Sequence, residues 1–413
     1  APLKRTWNGS GWASPPAPPT LKAWKDSGPS AKNESPCLPL NDPDHPPTKE
    51  MSMTQAVYKD LLNVMKSRGG PFAGMDIPEF FALVEELFTP EEAAVNNAMS
   101  RKPAPALEIA EKLGRPEDTV VDVLEMMANR GLCGVFSSTG QRLYQGLPFM
   151  PGIFEYTFIS GRETERDRKL AHLIHAYKTA YEAARGVEKI TVPLTRVIPV
   201  ARTIKAGNVV HTYDQVVTYI EKYDSVAVGT CYCRHAAKLR GESLHGMPLS
   251  VCMWFGGIAD NLVERLGGRR VGKQEALEIL NRCEEAGLIH MSRNTTDEID
   301  FMCNCDRWHC EVVSQVLKQP RPGWVFNSGF QPTFDAARCL ACGTCVDRCP
   351  PEALHLEEGK APLLDVDRCF GCGVCATGCP EEAIAMEAKP DFPVPPKNVK
   401  ELVSALKERS TRS

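Results

Sequence analysis

The chain has 413 residues, 43% of them hydrophobic and 24% charged, with a formal net charge of -4. That size and balance suit a protein of roughly two to four globular domains, and they leave no basic footprint for nucleic acid or an anionic membrane surface. The sequence carries no apolar run of about 18 residues and no signal-peptide core, and most of its 17 cysteines fall at metal spacings, which reads as a protein of a reducing cytoplasm with no direct membrane insertion.

Residues 1–50 hold 11 of the 33 prolines and show neither a helical nor a strand period. This is the composition of an extended arm. Trp7, Trp12 and Trp24 are large apolar anchors, so the arm is expected to dock on a partner, with Cys37 as a free thiol. Residues 51–189 turn helical. Val57, Leu61, Leu62 and Met65 mark one helix, and Phe80, Phe81, Leu83, Val84, Leu87 and Phe88 mark a second. Thr89, Pro90, Glu91 and Glu92 supply the cap, first-turn proline and first-turn acids of a third.

Between residues 104 and 146 the pattern is a helix, a Gly114-Arg115-Pro116 turn, a second helix, and two short alternating strands around Gly140. That order resembles a winged-helix domain, with Leu107, Ile109, Ala110, Val120, Val121, Val123, Leu124 and Met127 as its core. The helix that would enter a DNA groove carries Glu117, Asp118, Asp122 and Glu125, with Arg130 as its only cation. Such a face repels phosphate, so a protein-packing role is expected and no nucleic-acid partner. A long helix follows over 163–185, on which His172 and His175 read as ordinary surface or core histidines.

Residues 190–320 form a cysteine-rich α/β block. Strands are expected near 191–204 and 225–230, and helices over 214–223, 259–266 and 273–286. Cys231, Cys233, Cys252, Cys303, Cys305 and Cys310 are expected at strand ends and loops, as a pool from which four ligate one metal group. A third 4Fe-4S cluster is the first reading. Zinc is the alternative, since dispersed thiolates also suit a tetrahedral ion. Arg234 and Asn304 are candidates for tuning such a group through charge and hydrogen bonds. Cys133 and Cys283 read as small core residues.

Residues 321–389 contain C-x-x-C-x-x-C-x-x-x-C-P twice, at Cys339–Pro350 and Cys369–Pro380. In such runs the fourth cysteine of each half ligates the cluster of the other half. Cys339, Cys342, Cys345 and Cys379 are therefore assigned to one 4Fe-4S cluster, and Cys369, Cys372, Cys375 and Cys349 to a second. The segment resembles a bacterial two-cluster ferredoxin domain, which implies a βαββαβ-type unit carrying single electrons. Acidic residues outnumber basic ones across it, so a docking partner is expected to be basic there. Residues 390–413 complete the chain as a linker and helix.

A wider resemblance spans about residues 100–390. The CxCR motif at Cys231, the PLxxCM stretch at Pro248 and the CNC run at Cys303, all ahead of a two-cluster domain, resemble a family of 4Fe-4S electron-transfer proteins of anaerobic bacteria. Members carry a denser cysteine run where this chain has Asp306, Trp308 and His309, and often a cysteine where it has His245.

The fold class expected is α+β and multidomain. The function expected is that of an iron-sulfur electron-transfer subunit, itself non-catalytic, serving a catalytic oxidoreductase subunit and a redox donor or acceptor protein. The alternatives are a self-contained reductase using the middle cysteines and an iron-sulfur-sensing winged-helix regulator. No dinucleotide, P-loop, haem c or zinc-protease motif is present.

Overall fold

The computed structural model describes residues 53–138, 140–187, 189–190, 192–205, 215–390 and 392–410. The arm, with its three tryptophans and Cys37, lies outside the described residues. The chain mixes helix and sheet, as an α+β protein does. Among the described residues, no helix is long and apolar enough to cross a membrane.

The front half is helical: α1 (Met53–Arg68), α2 (Pro78–Leu87), α3 (Pro90–Ala98), α4 (Ala106–Leu113), α5 (Glu117–Asn129), α6 (Phe154–Phe158) and α7 (Glu165–Arg185). Apolar residues at helical spacing put Leu61, Leu62, Met65, Phe80, Leu83, Val84 and Leu87 into one core with Tyr177 of α7. Thr89 closes a capping box with Glu92, each side chain accepting from the other's backbone N–H. Arg68 is buried in this core, where its two terminal nitrogens donate to Asn96 Oδ1 at 3.0 Å, Leu147 O at 3.0 Å and Asn96 O at 2.8 Å.

Helices α4 and α5 are followed by the antiparallel hairpin β1 (Cys133–Ser138) and β2 (Gln141–Gly146). Leu107 departs from the expected core. It is 50% exposed, because Ile109 and Ala110 define the buried face of α4 and Leu107 projects away from it.

The middle block is a six-stranded sheet: β3 (Thr195–Ile198), β4 (Val226–Thr230), β5 (Ser250–Phe255), β6 (Arg269–Arg270), β7 (Ile289–Arg293) and β8 (Phe301–Cys305). The order is β3-β7-β8-β5-β4-β6, and each neighbouring pair runs antiparallel. Helices α8 (Val216–Lys222), α9 (Tyr232–Leu239), α10 (Gly256–Arg265), α11 (Lys273–Glu285) and α12 (Glu311–Leu317) accompany it. Val226, Val228, Met253, Phe255 and Met302 pack one sheet face against Ile220 of α8 and Ile279 and Cys283 of α11. Alternation along each strand then turns Cys252, Cys303 and Cys305 to the other face.

The acidic helix α5 packs within the chain itself. Arg265, at the end of α10, donates to Glu125 Oε2 at 2.8 Å and to Asn129 Oδ1 at 3.0 Å.

At the C-terminal end, α13 (Pro322–Val325) leads into β9 (Phe330–Phe334), α14 (Thr344–Asp347), β10 (Leu354–His355), β11 (Leu363–Leu364), α15 (Val374–Thr377) and β12 (Ile384–Ala388), an order that reads β-α-β-β-α-β. β9 pairs with β12 and β10 with β11, both antiparallel. Helix α16 (Val399–Ser410) follows. The unit is tied to the middle block: Val200 N–H donates to Cys372 O at 3.1 Å and Lys205 N–H to Met386 O at 2.9 Å. Arg348 donates to Glu284 O at 2.8 Å and Glu285 O at 3.0 Å.

Candidate metal centres

The doubled cysteine run folds as two copies of one loop. Asp335 and Asp365 open the copies alike. Each takes the N–H two residues on at 3.0 Å through its side chain, and each carbonyl accepts from the first cysteine of its run. Gly343 and Gly373, both at φ 81°, start the short helices α14 and α15. The positive φ is what turns the chain so that the third cysteine faces the first two.

Around these loops lie two hollows. Cys339, Cys342, Cys345 and Cys379 line one, with about 360 Å³ of atom-free space partly open to solvent. Cys349, Cys369, Cys372 and Cys375 line the other, with about 300 Å³. The fourth cysteine of each run thus reaches the hollow of the opposite run. Backbone N–H groups aim at the sulfurs in matched pairs. Ala341 and Gly371 donate to Cys339 and Cys369 at 3.4 Å, while Ala353 and Ala383 donate to Cys349 and Cys379 at 3.2 and 3.3 Å. Four thiols around a hollow, with N–H donors onto sulfur, fit a 4Fe-4S group in each.

The two hollows differ in exposure. Cys342 is exposed and Leu340, at the lip of the outer hollow, is 68% exposed, whereas all four cysteines of the inner hollow are buried. Thr344 holds the Cys342 thiol below its usual range, and burial pushes Cys349 up to about 12.

Residues 338–383 match the 4Fe-4S dicluster domain family. The chain is similar there to iron-sulfur, ferredoxin-like domains. That makes 4Fe-4S binding and electron transfer the chemistry of this end of the chain. No curated protein and no solved structure matches the chain.

The six middle cysteines also come together. Cys231 caps α9 and Cys233 lies in its first turn; Cys252 is in β5, Cys303 and Cys305 are in β8, and Cys310 caps α12. The expectation of strand ends and loops holds for Cys305, the last residue of β8, and fails for Cys233, Cys252 and Cys303. Sheet register explains the gathering. β5 and β8 pair Met253 with Met302, so one step further Cys252 comes beside Cys303. Thiol contacts then run from Cys231 to Cys233, Cys310, Cys305, Cys303, Cys252 and back to Cys231. Hydrogen bonds from their two neighbours hold Cys231, Cys303 and Cys310 below the usual thiol range, Cys303 at about 6. Among the described residues, no three His, Cys, Asp or Glu side chains converge on a single ion position. The thiols form a perimeter.

Arg234 braces this perimeter. It is 1% exposed and donates to Pro248 O at 2.8 Å, Asp306 Oδ2 at 2.9 Å and Asn304 O at 3.0 Å. Burial alone would raise the Asp306 carboxyl, but His309 and Arg234 hold it down to about 2. The Asn304 side chain turns away from the thiols, because it alternates with Cys303 and Cys305. Its amide instead meets His290 Nδ1 at 2.6 Å and donates to Val251 O.

The positions at which this chain departs from the resembling family lie together. His245 stacks on Trp308 with ring centres 4.7 Å apart and lies 5.9 Å from His309. His309 engages Asp306 at 3.1 Å through Nδ1 and Ser243 O at 2.9 Å through Nε2. Both its ring nitrogens are thus committed to protein partners. His172 and His175 are both exposed on α7. Cys133 and Cys283 are buried apart from the thiol perimeter, as core residues.

Sequence reasoning missed a polar group beside the perimeter. Lys178 of α7 pairs with Glu311, and Glu155 of α6 accepts from Gly152 N–H at 2.8 Å. The buried Tyr232 hydroxyl has no hydrogen-bond partner among the described residues. Burial pushes the Glu155 carboxyl up to about 8. These residues come from separate helices, and no spacing rule links them.

Proposed function

We propose that the chain is an iron-sulfur electron-transfer subunit that passes single electrons between a redox partner docked at the outer hollow and a centre in the middle block. The observation that carries this reading is the crossed gathering of eight thiols into two hollows, one with the exposed Cys342 at its wall and one lined by four buried cysteines. Cys339, Cys342, Cys345 and Cys379 hold one 4Fe-4S cluster, and Cys349, Cys369, Cys372 and Cys375 the other. When bound, such clusters accept and release one electron at a time. The chain's own residues set where that happens: N–H groups stabilise the sulfurs, and the apolar packing excludes water.

The middle thiols form a third iron-sulfur centre. A single apolar core joins Cys372 and Phe370 to Cys305 and Cys310, which supports a continuous route inward. The partner is a catalytic oxidoreductase subunit of anaerobic metabolism in a reducing cytoplasm, and the arm at 1–50 docks on it. Deleting residues 1–35 should leave the cluster spectra unchanged and speed dissociation from the co-purified partner.

A second reading, reductase chemistry within the chain, draws on the unpartnered Tyr232 hydroxyl beside Glu155 and Lys178 at the middle thiols. The regulator reading is disfavoured, since Glu117, Asp118 and Asp122 leave the exposed side of α5 acidic and Glu125 is paired with Arg265.

The test is Cys349→Ala, with EPR of the reduced protein isolated without oxygen. The variant should lose the signal of the cluster held by Cys369, Cys372 and Cys375 and keep the other. Loss of the cluster held by Cys339, Cys342 and Cys345 instead would refute the crossing.

A further inference from the structure

The middle thiols outnumber what a cubane needs. Each iron of a 4Fe-4S cubane takes one terminal thiolate, so four cysteines complete it. A tetrahedral ion likewise takes four. Here each of the six cysteines touches two others of the same set, in the order Cys231, Cys233, Cys310, Cys305, Cys303, Cys252 and back. No pair stands outside the ring.

The ring is also built rather than incidental. Two helix N-caps, the first turn of α9 and two adjacent strands each contribute thiols, and the strands bring Cys252 and Cys303 side by side by register. Buried cysteines serving only as packing look different in this chain. Cys283 lies among Ala276, Ile279 and Leu280, and Cys133 donates its thiol to Leu124 O at 3.6 Å. Cys233 and Cys303, which face each other across the ring, keep partial accessibility, whereas the other four are buried.

We infer that all six of Cys231, Cys233, Cys252, Cys303, Cys305 and Cys310 ligate one polynuclear iron-sulfur group larger than a cubane. This rests on the reading that the middle block holds an iron-sulfur centre. With one terminal thiolate per iron, six thiolates call for about six irons or more, so the whole chain binds about fourteen or more, against about twelve for three cubanes.

The test uses the full chain, isolated without oxygen and reconstituted with ferrous iron and sulfide. Iron and acid-labile sulfide are counted per chain, and Mössbauer spectra are recorded for the wild type and six single Cys→Ser variants. About fourteen irons or more are expected, and each of the six variants should alter the middle-centre spectrum. The dicluster EPR signals should persist in each variant and report that the chain has folded. Cys283→Ser, outside the ring, should leave every signal unchanged. About twelve irons, with two of the six variants spectrally silent, would overturn the six-ligand inference and leave the relay standing. About eight irons, with all six silent, would remove the middle centre altogether.

Discussion

Replacing Arg234 by Met removes a buried side chain that ties the α9 turn to the Cys303–Cys310 segment. The substitution keeps much of the apolar stem and deletes three hydrogen bonds, to Pro248 O, Asn304 O and Asp306 Oδ2. Arg234 is 1% exposed and Asp306 2%, so water does not replace the lost partner. Breaking a buried pair from one side costs about 3–5 kcal/mol. Asp306 retains His309 and the N–H groups of Trp308 and His309, which favours the lower end of that range. The two orphaned carbonyls add about 1 kcal/mol each. A loss of about 5 kcal/mol is therefore expected in anaerobic urea unfolding followed by far-UV circular dichroism. The double variant Arg234→Met/Asp306→Leu should recover about half of it, because no buried charge is then left alone. A single-variant loss below about 1 kcal/mol would show that the pair does not hold the ring segments together.

Gly371→Ala should abolish the inner cluster, since φ is 66° and an added Cβ would meet Phe330 O at 2.2 Å. Ala341→Gly, at the matching position of the other copy, should keep both clusters; iron counts and EPR separate the two outcomes. Glu125 is held below its ordinary 4.5: burial raises it, but bonds from Tyr144 and Arg265 prevail. Its folded pKa is thus lower than its unfolded one. The stability it contributes is present above about 4.5 and lost as pH falls through the folded value. The thermal midpoints of wild type and Glu125→Gln should therefore differ at pH 7 and converge on acidification. Equal midpoints at pH 7 would remove Glu125 from the account of how α5 is held.

The dicluster end was legible because its spacing is itself the constraint: the closely spaced cysteines must turn tightly, and the doubled run brings the fourth cysteine of each copy to the hollow of the other. The helical front was legible through its periods and the Thr89 cap. The middle ring was legible only as a pool. Which thiols meet depends on the β5–β8 register and on α9 beginning at Cys231, and neither is encoded in local spacing. Asn304 was misjudged as a tuning side chain for a related reason: strand alternation sends it to the face opposite Cys303 and Cys305. Arg68 and the Glu155–Lys178–Tyr232 group were invisible. Buried polar residues from distant helices leave no periodic signal.

Burial also bears on the order in which the centres fill. An added electron brings negative charge, which an apolar surround disfavours and a nearby cation favours. The outer hollow has solvent to help it. The inner hollow lies in apolar packing with Phe326, Phe370 and Val374 and has Arg348 beside it. Arg348 donates to Glu284 O, Glu285 O and Val374 O, and its charge acts on Cys372 and Cys375. Arg348→Met should accordingly make the inner cluster harder to reduce and leave the outer one nearly unchanged. An anaerobic redox titration followed by EPR reads both potentials in one sample. A shift confined to the inner signal would identify Arg348 as the charge that draws electrons inward toward the middle ring. Equal shifts of both signals, or none, would mean that solvent screening reaches the inner hollow and that burial does not set the order of filling.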